Sequence, residues 1–281
     1  MRKALRPRTG AGTVVCKRFR LKLAHATLGS AIGTHVDLLI GSLPLRISSE
    51  DSSLLSAAAK RYRGFSDSQE KRFSIQVDRA EAGFSGQHEF VCDFEGARVI
   101  ANATGAHFSG VRHEYALDSL LRMFLSWALP GQQGFLLHAA TVVRNGKACV
   151  FVGRSGAGKS TIASLSPRGT VLTDEISLLK RVDGEWRAFG TPFWGEFRAH
   201  GANTSAPVAG IFRLVQASDN LVVPLRPSEL LRTMLPCVLF FSSQLGDNDR
   251  LLQILVAASE QVAGYNLQFQ KNRSFWEVMP S

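Results

Sequence analysis

The chain has 281 residues, of which 45% are hydrophobic, and this composition excludes an intrinsically disordered or fibrous protein. The formal net charge is +10, but much of the excess lies in the first two dozen residues. The four cysteines are widely spaced and the apolar runs are too short to cross a bilayer, so the composition favours a cytoplasmic protein with no membrane partner, no disulfide framework and no zinc site.

The basic amino-terminal segment is the first feature along the chain. Residues 1–17 are predicted to be a solvated, disordered tail, and they lack the apolar run of a secretion signal. Neither aromatic interleaving nor a recognised nucleic-acid-binding motif accompanies the charge, so the sequence disfavours a nucleic-acid partner. A basic surface also fits an acidic or phosphorylated partner, which it would attract electrostatically.

Residues 18–112 are predicted to form a small β-rich domain. Short runs of alternating polarity separated by turn residues indicate strands, and a short helix is expected between Ser49 and Gly64. The predicted strands are Arg18–Ala24, Val36–Ile40, Leu43–Ile47, Arg72–Val77, Glu89–Phe94, Arg98–Ala103 and Gly105–Phe108. The sequence leaves open whether this domain binds a substrate, joins subunits or only caps the rest.

Residues 113–281 are predicted to form a mixed α/β second domain. An amphipathic helix over Tyr115–Leu129 opens it, because apolar residues recur there at helical spacing and Pro130-Gly131 stops the run. The predicted strands are Phe135–Val143, Ala148–Val152, Thr170–Thr173, Ile176–Arg181, Glu185–Phe189, Val208–Gln216, Leu221–Pro224 and Asn266–Gln270. The further predicted helices are Lys159–Leu165, Pro227–Phe241 and Asp247–Gly264, and Phe275–Val278 is predicted to be a tail.

The segment from Ala148 to Thr161 fits the P-loop pattern, with a strand before it and a predicted helix after it. Its glycines allow successive backbone N–H groups to converge on phosphate oxygens, and the helix adds its positive amino-terminal end. Lys159 is predicted to contact the β- and γ-phosphates of ATP, and the Ser160 hydroxyl to bind Mg²⁺. The predicted nucleotide-binding residues are Gly153, Arg154, Ser155, Gly156, Ala157, Gly158, Lys159, Ser160 and Thr161.

Two carboxylates end the strand that follows the P-loop helix. Asp174 and Glu175 therefore occupy the position expected for a magnesium-binding acid and a catalytic acid/base. Further along, Gly190–Arg198 is an aromatic, glycine-punctuated loop of the kind that closes over a site. Glu196 and Arg198 are its candidate substrate or phosphate contacts, and the alternative is that its aromatic residues only fill the edge of a core.

These motifs, together with Leu137-His138-Ala139-Ala140, resemble the catalytic domain of HPr kinase/phosphorylase and its kinase-like relatives. The resemblance covers roughly residues 135–198, and it implies a P-loop serine kinase domain related in core fold to phosphoenolpyruvate carboxykinase. It implies that His138 lies near the transferred phosphate and that Asp174 takes the proton from the acceptor hydroxyl. Glu175 replaces the second aspartate of the family's acidic pair, and this departure argues against the phosphorylase direction. The bifunctional relatives are hexamers, which leaves a homo-oligomer open here.

Together these observations predict an ATP-dependent phosphotransferase that acts on a hydroxyl of a protein, peptide or small molecule, and the resemblance implies serine as the acceptor. The alternative is an ATP-binding regulatory or scaffold protein that has kept the P-loop but lost turnover. The retention of His138, Lys159, Ser160 and Asp174 together disfavours that alternative. A transport-type ATPase is disfavoured because the sequence has no Leu-Ser-Gly-Gly-Gln signature and the acids follow the loop too soon.

Overall fold

The computed structural model describes residues 34–67, 73–80, 89–167, 169–193, 195 and 201–280, all within one compact unit, Ile32–Ser281. The predicted tail (residues 1–17) and strand Arg18–Ala24 lie outside the described residues, as do Glu196 and Arg198. The described chain is a mixed α/β structure with two sheets, which confirms the general fold class predicted from the sequence.

The first sheet contains six strands in the described part of the chain, in the order β1-β2-β3-β6-β5-β4. They are β1 (His35–Ile40), β2 (Leu43–Ser48), β3 (Phe73–Val77), β4 (Phe90–Phe94), β5 (Ala97–Asn102) and β6 (Gly105–Ser109). Every second residue of β3 is buried, because its apolar side chains alternate with polar ones as a half-buried strand requires.

Two helices cover this sheet. Helix α1 (Ser52–Arg61) is capped by Asp51, whose carboxylate accepts from the backbone N–H groups of its first turn. Helix α2 (Glu114–Ala128) is the predicted amphipathic helix, and the backbone N–H of Ala116 donates to the His113 ring at its amino terminus. The apolar face of α2 packs on strands of both sheets, so one core joins them.

The second sheet contains nine strands among the described residues. They are β7 (Gly134–Arg144), β8 (Lys147–Val152), β9 (Val171–Thr173), β10 (Ile176–Val182), β11 (Glu185–Phe189), β12 (Ser205–Gln216), β13 (Leu221–Leu225), β14 (Val238–Leu239) and β15 (Gly264–Phe269). The main path is β11-β10-β7-β8-β12-β15-β13, and β9 and β14 both pair with β7.

Strand direction brings four chain segments to one edge of this sheet. Strands β8, β12 and β15 are parallel, whereas β7 is antiparallel to both β8 and β9. Strand β9 therefore runs in the direction of β8, and the carboxyl ends of β8, β9, β12 and β15 lie at the same edge. Open α/β sheets bind their ligands at this edge.

Four further helices complete the described chain: α3 (Lys159–Leu165), α4 (Pro227–Met234), α5 (Leu245–Gln261) and α6 (Phe275–Val278). The expected helix over Pro227–Phe241 was wrong beyond Met234, where a 3₁₀ turn containing Pro236 leads into β14. Phe275–Val278, expected only as a tail, forms a single helical turn from which Phe275 packs its ring against Phe151 and Phe269. None of the described helices is both long and apolar enough to span a membrane.

Candidate active site

The glycine-rich loop begins directly after β8 and ends in α3, as the sequence predicts. Gly158 adopts a φ of +110°, and a Cβ atom there would come within 2.5 Å of the Phe269 ring. A side chain at this position would therefore force the loop off the sheet. At the tip of the loop, the Gln216 amide on β12 donates to the Gly156 carbonyl at 2.7 Å.

The Lys159 side chain folds back across the loop. Its Nζ donates to the carbonyl oxygens of Gly153 at 2.8 Å and Arg154 at 3.2 Å, so it ties the end of the loop to its beginning. Burial lowers the pKa of Lys159, and the negative charge of Glu175 opposes that shift. Lys159 as a whole is only 7% exposed.

The two acids follow β9 in a turn that the surrounding backbone fixes. The hydroxyls of Thr173 and Thr191 both donate to the Ile176 carbonyl, at 3.0 Å and 2.6 Å. The backbone N–H of Gly195 donates to Asp174 Oδ1 at 3.1 Å, and a Cβ on Gly195 would approach the carboxylates of both acids. The two acids therefore lie against the loop that follows β11, and a residue larger than glycine at position 195 would crowd their side chains.

A cavity of about 450 Å³ brings these elements together at the carboxyl edge of the second sheet. Its walls come from the P-loop, from the turn after β9 and from the ends of β12 and β15. The lining residues are His138, Ser155, Gly156, Gly158, Lys159, Ser160, Thr161, Asp174, Glu175, Gly195, Gln216 and Lys271. The same cavity is thus lined by the backbone of the glycine loop, a lysine, a serine hydroxyl and two carboxylates.

His138 enters the cavity from β7, where it is paired in register with Ile176 on β10. Burial is the main factor that lowers the pKa of His138, and the positive charges of Lys159 and Arg122 lower it further. The imidazole is therefore held towards its neutral form, in which one ring nitrogen accepts a hydrogen bond.

Glu175 has a cationic neighbour from outside the motif. The Arg122 guanidinium on α2 lies 3.7 Å from Glu175 Oε2 and stacks over the Phe193 ring, 5.1 Å from its centroid. Burial raises the pKa of Glu175, Arg122 opposes that shift, and the nearby charge of Asp174 adds to it. Two carboxylates share this corner of the cavity, so a further positive charge is electrostatically favoured there.

Most of the predicted site residues line this one cavity. Gly153, Arg154 and Ala157 do not, and instead line a separate cavity described below. Sequence analysis missed Gln216, Lys271 and Arg122. The first two end or follow predicted strands, which is the signal that could have found them, and Arg122 is a charged residue on the apolar face of a helix.

The fold and site thus define a mixed α/β protein with a P-loop at the carboxyl edge of its larger sheet. Residues 118–280 match the family model described as SynChlorMet cassette protein ScmC, and because this match spans more than half of the chain, the protein belongs to that family. No curated protein matches the chain.

Among solved structures, the chain is similar to the Hpr(Ser) kinase/phosphatase from Coxiella burnetii. The sequence identity is 15%, the match covers 43% of this chain and 87% of that chain, and the TM-score is 0.26. This is a weak and distant likeness to the family that the sequence motifs resemble, and the family shown by the model match is a different one.

Proposed function

We propose that this protein is an ATP-dependent phosphotransferase that moves the γ-phosphoryl group to a hydroxyl, with serine as the expected acceptor. The observation that carries the proposal is the shared cavity, where the P-loop residues Ser155, Gly156 and 158–161 face His138, Asp174 and Glu175. A P-loop with acids on the neighbouring strand end is the arrangement used for phosphoryl transfer from nucleoside triphosphates.

In this proposal the residues of the cavity divide the work of the transfer step. Lys159 neutralises charge on the phosphoryl oxygens, and the glycine loop positions them. Asp174 accepts the proton as the acceptor oxygen bonds to the γ-phosphorus and the bond from that phosphorus to the bridging oxygen of ADP breaks. The products are the phosphorylated acceptor, ADP and one proton, so the step balances without another reactant. His138, held towards its neutral form, orients a phosphate or acceptor group by hydrogen bonding.

The donor set of the cavity fits magnesium. Ser160, Asp174 and Glu175 supply oxygen ligands, and the pair of neighbouring acids favours a cation. Within the described residues, no group of three or more His, Cys, Asp or Glu side chains could hold a metal ion. This suits Mg²⁺, which is commonly held by one or two carboxylates together with substrate phosphates. When bound, the ion would offset negative charge on the triphosphate.

Transfer from γ-labelled ATP tests the proposal. The purified protein is incubated with labelled ATP, magnesium and a lysate of its own host, and labelled products are identified by mass spectrometry. We expect Lys159→Ala to reduce transfer by about a hundredfold to a thousandfold, because it removes the charge that faces the phosphates. Lys147→Ala, at the exposed start of β8, is the matched control and should transfer normally.

Asp174→Asn separates transfer from nucleotide binding. The amide keeps the shape of the side chain but cannot accept the proton, so transfer should fall by about a hundredfold or more while ATP affinity is largely retained. Asp183→Asn in the exposed turn between β10 and β11 is its control. Normal transfer by the Asp174 variant would remove it from the base role. ATP binding without labelled product in the wild-type protein would favour the regulatory alternative.

A further inference from the structure

A second cavity, of about 560 Å³, adjoins the start of the P-loop and shares no lining residue with the candidate active site. The two cavities border the same loop, since Lys159, which lines the active-site cavity, donates at 2.8 Å to the carbonyl of Gly153, which lines the second. Any ligand held in the second cavity would therefore lie beside the phosphate-binding loop.

Three arginines from three different elements surround this cavity: Arg154 in the P-loop, Arg213 on β12 and Arg232 on α4. All three side chains are exposed. In the described part of the chain, Arg154 and Arg213 have neither an ion pair nor a side-chain hydrogen bond. Arg232 uses only its Nε, which donates to the Ser228 carbonyl at 3.2 Å. The guanidinium groups thus retain free donors for a ligand.

Glu229 is the acidic residue in the lining, and it offsets only part of the charge of the three arginines, of which Arg232 is among the causes that lower the pKa of its carboxyl. Glu229 accepts from the backbone N–H of Arg226 at 2.9 Å and from its guanidinium at 3.0 Å, which closes the capping box of α4. Both carboxylate oxygens therefore already have partners outside the arginine cluster. With three arginines against one glutamate in its lining, the cavity keeps a net positive charge.

The volume of the second cavity and the chemistry of its lining indicate which kind of anion it would bind. The cavity is larger than the active-site cavity, and Leu214, Pro236 and Cys237 add apolar surface between the cationic groups. A single phosphate would pair with one or two guanidinium groups and leave the apolar wall uncovered. A peptide with spaced carboxylates satisfies the guanidinium groups in bidentate fashion and covers the apolar wall with its own side chains.

We propose that this cavity is the docking site of an acidic peptide segment of the phosphoryl acceptor, held next to the P-loop so that a neighbouring hydroxyl reaches the active site. The proposal names the acceptor class of the phosphotransferase and rests on that proposed function. Docking itself involves no nucleotide, so it is measured independently of turnover.

Fluorescence anisotropy tests the docking site with the full chain and no ATP. The probe is a fluorescein-labelled peptide of repeated glutamate, leucine and serine, and its counterpart has glutamine in place of glutamate. We expect saturable binding of the glutamate peptide that weakens as salt is added, and at least about tenfold weaker binding of the glutamine peptide.

Arg213→Gln and Arg232→Gln should each weaken binding of the glutamate peptide about threefold to tenfold, because each removes one charge-assisted contact. The exposed Arg181→Gln, outside both cavities, should bind as the wild type does. Equal binding of the two peptides, unchanged binding by both cavity variants, or failure of the glutamate peptide to bind while inorganic phosphate does would each overturn the proposal. A phosphotransferase that labels its acceptor normally in the Arg213 and Arg232 variants would contradict docking but leave the proposed activity standing.

Discussion

Arg122 on helix α2 contacts Glu175, one of the two acids in the candidate active site. It lies between the Phe193 ring and Glu175, and its Nε is buried without a hydrogen-bond partner in the described structure. A cation held in this way stabilises the ionised form of Glu175, because it opposes the effect of burial on the pKa of that carboxyl.

We therefore predict that Arg122→Gln makes the magnesium requirement of transfer more sensitive to acid. Loss of the guanidinium raises the pKa of Glu175 further, so protons compete with the metal at higher pH than in the wild type. The magnesium concentration for half-maximal transfer should rise on the acid side of neutrality and return towards the wild-type value in alkali.

Arg122→Lys is the control for that experiment, because it keeps the positive charge while losing the planar stacking on Phe193. Its magnesium requirement should follow the wild-type dependence on pH more closely than that of the glutamine variant. A parallel fall in transfer by both variants at every pH would indicate that Arg122 only supports packing.

The P-loop and its acids could be predicted because their chemistry depends on residues close together in sequence. Gly158, Lys159 and Asp174 lie where their motif and strand pattern place them. Arg122 could not be predicted from local pattern, because only the packing of α2 brings it to Glu175.

The junction between α1 and α2 is a buried ion pair with a third partner. The Arg61 guanidinium on α1 contacts the Asp118 carboxylate on α2, and the Tyr62 hydroxyl donates to the same carboxylate at 2.7 Å. The side chains of Arg61 and Asp118 are only 8% and 5% exposed, so solvent does not replace either partner. Asp118 and Arg122 are four residues apart on one helical face, which links this junction to the active-site corner.

Asp118→Ala should lower the free energy of unfolding by about 3 kcal/mol, since it leaves a buried guanidinium and hydroxyl without their acceptor. Asp93→Ala is the comparison, because Asp93 pairs with Arg98 on the exposed hairpin of β4 and β5, and its loss should cost less than about 1 kcal/mol. Urea unfolding followed by circular dichroism measures both, and similar losses in the two variants would contradict the structural role of the α1–α2 junction.

Elements with strong local signals were predicted well and elements fixed by distant contacts were not. The predicted strands on either side of Asn145-Gly146 and of Asp183-Gly184 are confirmed and pair as hairpins, because each turn needs two residues with positive φ and these pairs supply them. The end of α4 was wrong although Pro236 marked it, since a proline removes a donor from a helix interior. The turn at Phe275 depends on ring contacts with residues far away in sequence.

The two sheets share one core across the domain boundary predicted near residue 112. Buried residues of the first sheet and of α2 pack in the same cluster as Leu136, Ile176, Leu178 and Phe189 of the second sheet. The Gly41 turn between β1 and β2 also approaches Leu178 so closely that a Cβ atom on Gly41 would lie 2.3 Å from it. Separating the predicted domains would expose this apolar surface to water, at about 25 cal/mol for each Å².

Unfolding of the full chain should accordingly be one cooperative transition. Trp127 stacks on Phe90 of the first sheet at 5.6 Å, whereas Trp276 packs against Phe151 of the second at 5.9 Å, so the two indoles report on different sheets. The test uses two variants, each of which retains one of these tryptophans as its only tryptophan. Circular dichroism corrects for any change in overall stability, and the urea midpoints of the two variants should then coincide.

Because the shared core makes each sheet depend on the other, a chain beginning at residue 113 should bind a hydrophobic dye and unfold without a sharp midpoint. Two separated transitions in the full chain, or a cooperative transition in the shortened one, would show instead that the sheets are independent domains divided where the sequence places the boundary.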